Sequence, residues 1–140
     1  MMRFPLLIGA AFLLGACSKP FVIEDPVPPF SGLSYVVFFR TGSANLDQHA
    51  IEIIYNAVKD AKSIKANQII LEGMADRVGS ENSNKALSMR RVIEVEKEME
   101  RLGLDEGIFI LKALGEDDRL VPTGDGVPEE KNRAVAITVR

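Results

Sequence analysis

The chain has 140 residues, 46% hydrophobic and 26% charged, the usage of one compact globular domain with a short appendage. Lys and Arg number 17 against 20 for Asp and Glu; this net charge of −3 offers no basic field to a phosphate backbone and excludes general nucleic-acid binding. One Cys and one His exclude an internal disulfide and a multi-ligand zinc cage.

Arg3 is the only charge among residues 1–17, and it precedes the uncharged run Phe4–Ala16. That run is too short to cross a bilayer core of ~30 Å at about 1.5 Å per residue. A charged start, a short apolar stretch and small closing residues read as a secretory signal over residues 1–16. Leu14-Gly15-Ala16-Cys17 resembles the lipobox of bacterial lipoproteins. The resemblance implies that Cys17 is lipidated and becomes the first residue of the mature protein. Each buried acyl methylene adds roughly 0.8 kcal/mol, so a multiply acylated Cys anchors a protein to a membrane without spanning it. Ser18 stands where Asp, in enterobacterial lipoproteins, tends to retain the protein at the inner membrane. The resemblance therefore implies the periplasmic face of the outer membrane.

Residues 17–31 form the next unit, the lipid-bearing Cys and a tether rich in proline, with Pro20, Pro26, Pro28 and Pro29. Proline at this density blocks helix and sheet ladders and favours an extended chain. At ~3.1 Å per residue such a tether reaches roughly 43 Å.

Regular patterning begins at Gly32, and residues 32–140 are expected to form the folded unit. Ser34–Arg40 is β-branched and aromatic and predicts a strand. Asp47 is placed to cap a helix, in which Ile51, Ile54, Tyr55 and Val58 fall on one face. Asn67–Gly73 predicts a second strand, followed by a loop to Gly79 and a long helix over Ser80–Leu102. Val92, Val95, Met99 and Leu102 form its inner stripe, and Gly103 ends it. Ile108–Leu114 and Arg133–Arg140 predict two further strands. The fold class is α/β (α+β), a mixed four-stranded sheet with two main helices in the order β-α-β-α-β-β. The segment 115–132, rich in Gly and Pro, is long enough to be functional or partly ordered.

No nucleophile–base pair, phosphate-cradling loop or His pair at metal spacing is present, so no catalytic residue, metal or cofactor is expected. His49 reads as a solvated side chain. Glu116-Asp117-Asp118 reads as a solvated turn, since three adjacent acids do not converge on one ion without a scaffold.

The most informative stretch is Gly73, Asp76, Gly79, Asn84, Leu87, Ser88 and Arg91, with Phe39, Ser43 and Leu46 upstream and Gly115, Pro122, Asn132 and Arg133 downstream. In type and spacing these residues resemble the OmpA-like peptidoglycan-binding domain, also found in peptidoglycan-associated lipoproteins, over roughly residues 34–140. Ala75 replaces the family's usual Thr, and Ala134 stands where a second Arg often follows. The resemblance implies a ligand, the diaminopimelate of the peptide stem, whose free end carries an ammonium and a carboxylate. Asp76 can accept from the ammonium, and Arg91 can meet the carboxylate with a two-donor fork. Backbone N–H groups around Gly79 and Ser80 can hold further carboxylate oxygens, and Asn84 can bind ligand or fix the loop. Read without a ligand, Asp76 and Arg91 are a salt bridge pinning a loop, and Arg133 is a structural residue at the start of a closing strand.

The expected function is non-catalytic binding of peptidoglycan by a lipid-anchored domain that links the outer membrane to the wall, with envelope proteins as further partners. The competing expectation is a lipoprotein interaction subunit of an envelope or secretion complex that binds no peptidoglycan.

Overall fold

The structure, a computed structural model, describes residues 32–140. The signal segment, Cys17 and the tether lie outside the described residues.

Four strands and two helices follow the expected order: β1 (Leu33–Phe38), α1 (Gln48–Ser63), β2 (Ile69–Met74), α2 (Glu81–Arg101), β3 (Phe109–Gly115) and β4 (Ala134–Val139). Both helices start where their capping residues stand. The Asp47 carboxylate accepts from the Ala50 N–H at 2.8 Å, and the Ser80 hydroxyl accepts from the Ser83 N–H. Gly103 ends α2 with φ +98°, a left-handed conformation that a side chain would oppose.

The strands lie in the spatial order β1-β4-β2-β3. β2 and β3 are parallel, whereas β4 runs antiparallel to both β1 and β2. The crossover through α1 therefore skips one position, which the last strand fills. Val135, Ile137 and Val139 alternate onto the helix-covered face and are fully buried there with Val37, Ile69, Leu71, Val92, Val95 and Met99. The opposite sheet face carries Phe38 and Ile110, each 40% exposed, and the Lys112–Glu72 ion pair.

One stripe is displaced from expectation. Tyr55 faces outward, and the buried line of α1 is Ala50, Ile54, Ala57, Val58 and Ala61. Three alanines on that line let the helix approach the sheet closely, which leaves no room beneath it for an aromatic ring.

Tyr35 on β1 donates its hydroxyl to the Asp60 carboxylate on α1. That bond to a carboxylate, then burial, then the charge of Asp60 push the phenol up to about 12. The neutral phenol is the stabilised form. Its contribution is complete below about pH 10, the unfolded value, and is lost as pH rises toward about 12. In a Tyr55→Phe protein, ultraviolet difference titration is expected to show the remaining tyrosine ionising near 12, and Asp60→Asn is expected to lower that midpoint.

Candidate functional site

Three loops meet beyond the same end of the sheet: β1 to α1, β2 to α2, and the segment leading into β4. A register shift between Gly73 and Met74 interrupts the β2–β3 ladder just before Asp76. The Ala75 N–H then donates to the Gly115 carbonyl at 2.7 Å, fixing the backbone beside the acid.

Asp76 is only 5% exposed, and its two oxygens are in different states. Oδ2 accepts from Arg133 Nη1 at 3.2 Å and from the Glu129 N–H at 3.4 Å. Oδ1 receives no hydrogen bond among the described residues. The guanidinium partner of Asp76 is therefore Arg133, which the sequence places 57 positions away, and not Arg91. Arg133 also donates through Nε to the Phe39 carbonyl and keeps 14% of its side chain exposed.

Arg91 lies beneath this pair with no exposed surface. Nε donates to the Ser43 carbonyl at 2.9 Å, Nη1 to Met74 at 3.0 Å and Nη2 to Arg40 at 3.2 Å, and the guanidinium sits over the Phe39 ring at 5.2 Å. It staples the β1–α1 loop to the end of β2. Of its five N–H groups, two have no acceptor among the described residues. Burial pulls its pKa down to about 10 against the charge of Asp76, and Arg133 and Arg90 add to the fall. It remains charged at neutral pH, so two guanidinium groups face one carboxylate and the cluster carries one surplus positive charge.

Asn84 joins a second cluster. Its side chain is 3% exposed and donates to Glu116 Oε2 at 2.9 Å, while Arg77 pairs with both Glu116 and Asp125. Glu116 is thus a buried-side tie between α2 and the 115–132 segment, a correction to the solvated turn expected of it. Its neighbours Asp117 and Asp118 are exposed, as is His49. Gly79 and Ser80 are exposed at the start of α2, where Gly79 has φ +97°.

The 115–132 segment is ordered by long-range bonds. Buried Asn132 accepts from the Val121 N–H and donates to its carbonyl, and the Gly126 N–H donates to the Arg77 carbonyl at 2.8 Å. Arg133, Glu116 and Arg77 are the site residues that residue type alone passed over. For Arg133 the available signal was Asn132-Arg133, already part of the family pattern.

A model of the OmpA family matches residues 38–133. Similar curated proteins include an outer membrane protein of Gluconacetobacter diazotrophicus, 31% identical over an alignment of 115 positions that covers 78% of this chain. The match spans only 30% of that protein's length. A peptidoglycan-associated lipoprotein of Pasteurella multocida is 24% identical over 140 residues, covering 94% of this chain and 93% of that one. Among solved structures, the OmpA-like domain of FopA1 from Francisella tularensis superposes with a TM-score of 0.71 at 23% identity, over 77% of this chain and 71% of that one. The peptidoglycan-associated lipoprotein of Burkholderia pseudomallei gives 0.68 at 20% identity, over 75% and 89%. At these identities the structural likeness speaks to the fold.

Proposed function

The chain belongs to the OmpA family, and from that premise we propose that it is a lipid-anchored, non-catalytic protein that binds peptidoglycan and ties the outer membrane to the cell wall from the periplasmic side. The names of the Gluconacetobacter and Pasteurella relatives support an envelope location, and the second supports attachment through Cys17.

The observation that carries the ligand assignment is the half-used carboxylate of Asp76. Oδ1 accepts no hydrogen bond among the described residues, and a surplus guanidinium charge stands close by. A zwitterion satisfies both at once. The ammonium of diaminopimelate donates to Asp76 Oδ1, and its carboxylate takes a spare N–H group of the partly exposed Arg133, with the buried charge of Arg91 beneath adding attraction through space. Each charge-assisted contact is worth roughly 1.5–3 kcal/mol. Gly79 and Ser80 offer backbone N–H groups at the rim, and Asn84 holds the loop through Glu116. One such contact pair is weak, but many anchored copies facing a polymer gain through effective concentration.

Sedimentation of residues 18–140 with purified sacculi tests the reading. The unaltered protein is expected to pellet, free diaminopimelate to release it, and Asp76→Asn to weaken binding by about tenfold or more. If Asp76→Asn pellets as well as the parent, the site is wrong. If neither pellets, wall binding is wrong and the interaction-subunit reading takes its place.

A further inference from the structure

Away from the Asp76 cluster, a groove runs along α1 where it meets the end of α2. Two adjoining hollows of about 460 and 240 Å³ form it and share Tyr55 and Leu102. The floor is apolar, made by Ile51, Tyr55, Val58 and Leu102. Tyr55 is 56% exposed, the most exposed of the large hydrophobic side chains described. The rim toward the C-terminal end of α1 is basic. Lys59 and Lys62 line it, and neither meets a carboxylate among the described residues. Lys62 Nζ donates to the Leu102 carbonyl, which leaves its charge unbalanced. An apolar floor ending in unbalanced cations fits an apolar segment followed by acids.

Ahead of Gly32 the chain carries that pattern as Phe21-Val22-Ile23-Glu24-Asp25. The place where this segment joins the domain also fits. Gly32 lies against Val139 and Arg140, and the Arg140 carbonyl accepts from Asn67 and Gln68, just past the end of α1. Residue 32 therefore stands at the same end of the sheet as Lys59 and Lys62. Residues 26–31 span up to roughly 20 Å when extended, close to the ~24 Å length of a helix the size of α1.

We propose that residues 21–25 dock into this groove of their own chain, with Phe21–Ile23 on the Tyr55–Leu102 floor and Glu24 and Asp25 against Lys59 and Lys62. On the anchoring reading above, docking shortens the effective tether, since the domain then hangs from the few residues before Phe21.

The test is photo-crosslinking of the full chain in intact cells, with benzoylphenylalanine in place of Phe21 and products mapped by mass spectrometry. Crosslinks within the same chain to Tyr55, Val58 or Leu102 are expected. Glu24→Lys with Asp25→Lys is expected to lower their yield at least about threefold, and added Lys59→Glu to restore much of it. Crosslinks confined to the open sheet face at Ile70 or Ile110, crosslinks only to another protein, or none at all overturn the proposal. So does a yield that charge reversal leaves unchanged. Sacculus binding through Asp76 enters none of these readouts, so this proposal and the wall-binding reading fail separately.

Discussion

Arg91→Ala is expected to destabilise the domain by about 3–5 kcal/mol and to lower Tm by more than about 10 °C. The change strips three carbonyls, those of Arg40, Ser43 and Met74, of their donor and leaves a void beside Phe39. Each lost charge-assisted bond is worth roughly 1.5–3 kcal/mol, and a cavity of the order of 100 Å³ adds about 2 kcal/mol. Against this stands the relief of removing a buried charge, also several kcal/mol, which keeps the net loss below the sum. Arg91→Met fills most of the void without the charge and is expected to recover about half of the loss. Urea unfolding of both variants checks the argument. If Arg91→Met equals the parent protein, the carbonyl staple is not what holds the β1–α1 loop to the end of β2. The same experiment explains why Asp76→Asn is the cleaner probe of ligand binding, since it keeps the shape of a side chain that Arg133 still contacts.

Gly73→Ala is expected to cost about 3 kcal/mol, at the upper end of what overpacking does. A Cβ at this position would run into the Ser88 carbonyl oxygen and stand 2.6 Å from Val92 Cγ2, so α2 would have to lift away from β2. The sign is the informative part. At an unstrained position this substitution stabilises by ~0.4–1 kcal/mol through the unfolded chain, so a loss isolates the steric contact. Because β2 leads into the loop that holds Asp76 and α2 carries Arg91, the displacement is also expected to reduce sacculus binding. A variant as stable as the parent in urea, with an unchanged m value, would show that helix and strand have slack between them.

Much of the framework was legible in residue order because its causes are local. Asp47 and Ser80 cap through N–H groups three positions away, Gly103 supplies the conformation that ends α2, and Val92, Val95 and Met99 repeat at helical spacing. Tyr55 faces outward against its helical spacing because periodicity alone does not weigh the close approach that Ala50, Ala57 and Ala61 permit. Spacing makes Asp76 the candidate acid and Arg91 its partner, whereas the ion pair of Asp76 with Arg133 is a long-range contact that spacing does not reveal.

That division follows from the range of the forces involved. Residue order alone is enough for the caps and for the inward stripes of α2 and β4, since each depends on residues within a few turns of one another, and the family motif is legible as spaced residue types from Phe39 to Arg133. That β4 enters between β1 and β2 is a result of long-range packing, and the rest of the site depends on that entry. It brings Arg133 across 57 positions to Asp76. Arg91, set on α2, is meanwhile left to satisfy two carbonyls of the β1–α1 loop and one at the end of β2. A buried guanidinium binds whichever oxygens the strand order delivers, and no local pattern records that order.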